Sequence, residues 1–316
     1  MKNEIKNLSI AVLYATILVY LIPMEGILDR ENYLIYANNS DLIFSRYYPH
    51  NILGLITNEP IWLGINSFLN LFLLPNQVVS LIIFISSFIS SYLILKNNRK
   101  YFFFLLIILF FPQFIGKFII HLRQGLAIAI FLIGWFSTSK KFRYFWFILT
   151  PFIHASFFFV LFLFTYTKIL NKTKLSVGIK IFSVIALGLF LGFTLEYIVS
   201  ISGARQANEY TFSADNVSGL SFIFWFCIFS LYFSQGRLFA NKHIFPMATI
   251  AFYLSTYFLI EVTGRIFEST LILVLLTSLD LSSWRKYLAI SMIVSFEILN
   301  WGIRLNQPWF GWGSTF

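Results

Sequence analysis

The runs Leu81–Leu95, Tyr101–Phe111 and Leu271–Leu279 carry no charged residue and present apolar side chains on every helical face. A helix of that kind buries itself in lipid or among other membrane helices. A transmembrane barrel would instead alternate apolar and polar residues in segments of about ten, and these runs are unbroken. Composition agrees: 58% of residues are apolar and 11% charged, against roughly 45–50% and about 25% in soluble domains. An ordinary water-soluble enzyme is excluded. The sequence predicts an all-α, polytopic membrane helical bundle forming one integral domain over residues 1–316.

Apolar stretches of about 17–25 residues are long enough to span a bilayer as helices. They fall near residues 8–24, 76–95, 101–119, 122–138, 178–200, 217–234, 244–261, 265–281 and 285–303. Two further stretches fit less simply. Residues 60–74 follow Asn58-Glu59-Pro60, and residues 143–167 are interrupted by Thr150-Pro151 and His154. The basic connectors are Lys96–Lys100, Lys140–Arg143, Lys168–Lys180, Arg237–Lys242 and Arg285–Lys286. All of them reach the cytoplasmic side, as the positive-inside rule requires, when 60–74 is interfacial or re-entrant and 143–167 dips in and returns. Full crossings of both stretches give a ten- or eleven-span alternative, so about 9–11 spans are expected, with a re-entrant segment. Re-entrant backbone needs surrounding protein or a water-filled cavity. The sizeable outer connectors are then 25–58 and 200–216.

The net charge of +10 follows the same pattern. Most Lys and Arg lie on the inner side and most Asp and Glu on the outer side or in the membrane. This is a topology signal, and no nucleic-acid partner is expected. The single cysteine, Cys227, sits within an apolar run and forms no intramolecular disulfide. The first segment, Leu8 to Ile22, lacks a small-residue cleavage site before Pro23-Met24-Glu25 and reads as a retained signal anchor.

Ionisable groups inside or bordering a bilayer are costly and are functional candidates by default. Asp29, Arg30, Glu31, Glu59, Lys117, His121, Arg123, His154, Glu196, Arg205, Glu261, Arg265 and Glu268 all map to the outer half, which suggests one outward-facing polar cavity. Arg123 opens a helix whose next residues include Ala127 and Ala129, and its guanidinium suits phosphate oxygens bidentately. It reads equally as an interfacial arginine reaching for headgroups. Arg265 has Glu261 at i−4 and Glu268 at i+3, spacing that also fits a surface ion-pair cluster. His154, next to Ser156, marks the helix interruption and suits proton transfer near neutrality. Glu59-Pro60 follows Asn58 in an N-cap arrangement. Glu59 is either simply part of a well-started helix or a base or sugar-hydroxyl acceptor. The cluster Asp29-Arg30-Glu31-Asn32-Tyr33 suits sugar contacts through carboxylates and an aromatic ring. No HExxH motif, cysteine cluster or EF-hand loop accompanies them, so no metal or cofactor is expected.

Taken in order, Asp29–Tyr33 with its Asp-x-x-Asn-Tyr pattern, Asn58-Glu59-Pro60, Arg123-Gln124-Gly125-Leu126-Ala127, His154-Ala155-Ser156 and Gly264-Arg265-Ile266 form a set. Together they resemble the EpsG family of bacterial exopolysaccharide proteins, which belongs with the Wzy-type O-antigen and capsule polymerases. The resemblance runs from about residue 10 to residue 280. It implies a membrane-type, GT-C-like glycosyltransferase of the bacterial inner membrane with its active site facing the periplasm. The implied reaction moves a growing glycan from undecaprenyl diphosphate onto an incoming lipid-linked repeat unit, without a metal. Its partners would be the lipid-linked oligosaccharide as donor and acceptor, membrane lipids, and a chain-length regulator protein. On this resemblance Arg123 and Arg265 clamp the diphosphate, His154 donates to phosphate or carries a proton, and Glu59 or Asp29 serves the acceptor hydroxyl. Arg30, Tyr33, Gln124, Ser156 and Glu261 complete the substrate contacts. The chain departs from the family at Ile61-Trp62 after the Glu-Pro pair and at Phe267-Glu268 after Arg265. The rival classes are a flippase or other transporter of lipid-linked glycans, a membrane sugar acyltransferase, and a non-catalytic secretion subunit.

Overall fold

The computed structural model describes residues 2–47, 56, 58–97, 99–202, 219–260 and 263–313. Among these residues the fold is all-helical, and the only β-type pairing is the single bridge Ile27↔Gly313. Its sixteen main helices are α1 (Lys2–Tyr20), α2 (Arg30–Tyr47), α3 (Pro60–Asn70), α4 (Pro75–Asn97), α5 (Phe102–Leu109), α6 (Pro112–Ile119), α7 (Leu122–Phe136), α8 (Lys140–Leu149), α9 (Ser156–Lys172), α10 (Val177–Ser202), α11 (Leu220–Ser234), α12 (Arg237–Lys242), α13 (Ile244–Thr256), α14 (Thr263–Glu268), α15 (Leu271–Thr277) and α16 (Ser283–Arg304). They form two compact units, one of residues 1–155 with 297–316 and one of residues 156–296.

Among the described residues two helices, Pro75–Asn97 and Val177–Thr194, are long and apolar enough to cross a membrane. The pair α5 and α6 makes a third only when taken together across a 53° bend. Pro112 at the first turn of α6 explains that bend, because proline cannot donate to the preceding turn. Other expected spans appear as shorter apolar helices over Leu122–Phe136, Leu220–Ser234, Ile244–Thr256 and Leu271–Asp280. Large apolar side chains face outward, among them Phe103, Phe182 and Phe193, as in a helical membrane protein rather than a soluble one. The connector expected over 25–58 is not irregular throughout, because α2 occupies eighteen of its residues. Of the second connector, 200–202 end α10 and 203–216 lie outside the described residues.

In the first unit α4 packs between α1 and α7. Its serines 86, 87, 90 and 91 are fully buried, and small residues let helix backbones approach closely. Ser86, Ser87 and Ser91 spend their hydroxyls on carbonyls one turn back, at 2.6, 2.6 and 2.7 Å. α1 is tied down by Asn7 Nδ2 donating to the Leu95 carbonyl and by the Tyr14 hydroxyl donating to the Leu109 carbonyl. The chain's far end returns to this unit. Trp301 Nε1 donates to the Phe110 carbonyl, Gln113 donates to Asn300, and Leu28 N–H donates to the Trp312 carbonyl at 2.9 Å.

The second unit is built around α13, which is buried along nearly its whole length. α10 lies close against it: a Cβ built on Gly188 would overlap the Ser255 hydroxyl. Tyr232 on α11 donates its hydroxyl to the Val274 carbonyl at 2.8 Å. At one end Lys180, buried and without a carboxylate partner among the described residues, donates to Asn171 and Asn241.

Candidate functional site

Local sequence places the first functional group. The residue before α3 is Glu59, and it adopts the left-handed conformation (φ 59°, ψ 55°) with Pro60 at the first helical turn. Asn58 therefore does not cap this helix as its position suggested, and Glu59 caps it with no side-chain bond. Its carboxylate is turned away from its own helix and is free to reach other elements. A non-glycine residue in this region costs on the order of 1–3 kcal/mol unless its surroundings hold it there.

They do hold it. Glu59 Oε2 accepts from Arg123 Nη1 at 2.5 Å, and Oε1 accepts from the backbone N–H of Ala155 at 3.2 Å. The Glu59 side chain is 5% exposed and that of Arg123 is 19% exposed. Arg123 sits one residue into α7, as the sequence predicted. Its guanidinium lies over the Tyr36 ring, 5.3 Å from the centroid. It also hydrogen-bonds the Tyr33 hydroxyl, whose pKa is raised by burial, with the arginine charge working against that rise. Arg123 Nε is buried and has no acceptor among the described residues. Tyr33 and Tyr36 both stand edge-on to Trp62, with centroids 5.7 and 6.3 Å away, so the arginine rests on a rigid aromatic floor.

The break expected in 143–167 is present. α8 ends at Leu149, a 3₁₀ turn covers Thr150–Phe152, and α9 starts only at Ser156. Proline at 151 removes one donor, and His154 N–H instead turns back to the Thr150 carbonyl at 3.0 Å. That leaves the Ala155 N–H for Glu59. The Glu-Pro, Arg-Gln-Gly and His-Ala-Ser motifs, distant in sequence, thus meet within one hydrogen-bonded cluster.

The third motif residue pair has a packing explanation. A Cβ on Gly125 would overlap the Lys117 carbonyl, so only glycine lets α7 pass α6 this closely. Gln124 is fully buried and accepts from Lys117 Nζ at 3.2 Å, which places it inside the α6–α7 contact rather than at an open surface.

Asp29 also adopts a positive φ of 58°, immediately before α2. Its carboxylate lies 3.8 Å from His121 Nδ1, and both side chains are partly exposed. Arg30 is almost wholly buried; it donates from Nη2 to the Ile119 carbonyl at 3.0 Å and from Nη1 to Met24 Sδ at 3.5 Å. Burial lowers its pKa to about 10, so it stays a cation at neutral pH. Its bond holds the carbonyl that ends α6, two residues before His121, and so fixes the start of α7.

Two further candidates belong to the second unit. Ser156, the first residue of α9, bonds Ser269 at 3.0 Å, and Ser269 in turn donates to the Arg265 carbonyl. Arg265 is half-buried on the short helix α14. Glu261 lies outside the described residues. Sequence reasoning missed Tyr36 and Trp62 as the floor under Arg123. The signal was present in the spacing of Tyr33, Tyr36, Ala37 and Ser40, the buried i, i+3, i+4, i+7 stripe of α2.

No family model, no curated protein and no solved structure matches this chain.

Proposed function

We propose that this chain is a polysaccharide polymerase of about 9–11 membrane spans, with a GT-C-like architecture, that lengthens a lipid-linked glycan at the outer face of the bacterial inner membrane. The observation that carries the reading is the cluster of Arg123, Glu59 and the His154-Ala155 break. It brings three motifs of the resembled family together around one guanidinium with an unspent donor.

In this reading Arg123 binds the diphosphate of the undecaprenyl-linked donor, and preorganised charge on the leaving group lowers the barrier. Glu59 is the positioning residue that aims it, since both carboxylate oxygens are already engaged. The bond between the anomeric carbon and the diphosphate oxygen breaks, with the electron pair leaving on the diphosphate. The acceptor hydroxyl oxygen forms the new bond and its proton passes to a base. Asp29, with His121 beside it, is the carboxylate assigned to that proton, and a base must lie within hydrogen-bond reach of the hydroxyl. His154 serves the departing phosphate. Arg265 is assigned to the diphosphate on the sequence resemblance alone.

Loss of the gene is expected to leave surface glycan bearing single repeat units instead of long chains. Arg123→Ala and Arg265→Ala, each made separately, are expected to do the same when compared with the parent at matched protein levels. Purified protein given a lipid-linked repeat unit should yield a ladder on a gel, absent with either variant. A surface devoid of glycan, with lipid-linked units held inside the cell, would favour a flippase and sink the polymerase reading.

A further inference from the structure

The Arg123 cluster uses one face of α2; the opposite face, built from different residues, borders an open groove. Tyr33, Tyr36, Ala37 and Ser40 point inward and are buried, whereas Ile35 and Asn38 are exposed and Asn39 half-buried. At Asn39 the helix kinks, with φ −126° and ψ 21° inside the helical run. This face of α2 and the tight connection between α3 and α4 line one groove. At that connection Asn76 and Gln77 open α4, and the Leu74 N–H is capped by Gln77 Oε1 at 3.0 Å. The groove has a volume of about 540 Å³ and is lined by four side-chain amides and by aliphatic residues including Ile35 and Leu74.

The lining has three chemical properties. Among the described residues the amides of Asn38, Asn39 and Asn76 have no hydrogen-bond partner, and Gln77 commits only its oxygen. Each free amide offers donors and an acceptor together, which matches the paired donor and acceptor character of neighbouring sugar hydroxyls. The aliphatic walls match the C–H face of a pyranose ring. Among the described residues no charged side chain lines the groove, so a phosphate, a lipid headgroup or a uronic acid finds no counter-charge in that lining.

We infer that this groove is a binding site for a neutral sugar residue, separate from the Arg123 cluster and selective against acidic sugars. The identification of the sugar as part of the growing glycan rests on the polymerase reading. Because α2 advances 1.5 Å per residue, Tyr36 and Asn38 lie within one helical turn. The helix that floors the diphosphate ligand thus also carries the sugar contacts.

The test uses the full chain in a detergent without a sugar headgroup and saturation-transfer NMR. The probes are the methyl glycosides of glucose, galactose and N-acetylglucosamine, with glucuronate as the charged comparison. At least one neutral glycoside should receive saturation through its ring C–H groups, and glucuronate should receive none. Asn38→Leu combined with Asn76→Leu should weaken binding by about tenfold, the scale expected for losing two such hydrogen bonds. As a check independent of folding, Asn76→Cys on a Cys227→Ser background can be blocked after purification with a bulky maleimide, with the same loss expected. No transfer to any neutral sugar, equal transfer to glucuronate, or unchanged binding after blocking would each overturn the site. Arg123→Ala should leave sugar binding intact. If sugars do not bind and Arg123→Ala still stops chain elongation, the groove is wrong and the polymerase reading stands. If sugars bind and Arg123→Ala leaves elongation normal, the groove stands and that reading fails.

Discussion

Removing the Glu59 carboxylate while Arg123 stays would leave a largely buried guanidinium without its counter-charge. Breaking a buried pair from one side costs about 3–5 kcal/mol, so Glu59→Ala should lower the thermal midpoint in detergent substantially. Asp29→Asn is the contrast. That carboxylate is 48% exposed and its histidine is 3.8 Å away, so stability should change by less than about 1 kcal/mol. Equal losses in the two variants would show that Arg123 does not depend on Glu59. Arg123, Glu59 and His154 were legible in the sequence because ionisable groups beside apolar runs are costly and few. Tyr36 was not, since a tyrosine under a cation looks like any other aromatic in a chain that is 20% aromatic. The Ala155 N–H was beyond reach altogether, because a backbone donor carries no residue identity.

At the scale of elements, α7 depends on a single missing side chain. Gly125→Ala would drive a methyl group into the Lys117 carbonyl, and overpacking of this kind costs roughly 1–3 kcal/mol. The variant should show a lower thermal midpoint and reduced chain elongation, whereas Gly64→Ala, with open space around its Cβ position, should match the parent protein. Indistinguishable midpoints for the two would rule out a close α6–α7 approach at that point. The helix start at Leu122 and the break after Thr150 were readable from apolar periodicity and from Pro151. α2 was not. Its buried stripe is short, its exposed face is polar, and its kink at Asn39 interrupts the period, so the segment reads as a connector until tertiary contacts are seen. The bend between α5 and α6 had a visible cause in Pro112, yet the apolar run through it hid the change of direction.

For the whole molecule the membrane class was evident from the uncharged runs, while the number of crossings was not. Several apolar stretches fold as helices of 13–15 residues, and hydropathy sums across the breaks between helices. The inside-positive arrangement makes a direct prediction. With Cys227→Ser as background, a membrane-impermeant maleimide added to intact cells should label Leu305→Cys and leave Ser139→Cys untouched. Labelling at 139 from outside would reverse the arrangement. The first unit also has an unusual order of assembly. Residues 297–316 belong to it, although the whole of residues 156–296 is translated in between. The segment leading into Asp29 and Arg30 is pinned by Gly313 and by the Trp312 carbonyl. The ribosome therefore delivers the second unit while the first is still open, and any chain halted before residue 312 would reach the membrane with the segment before Asp29 and Arg30 unfastened.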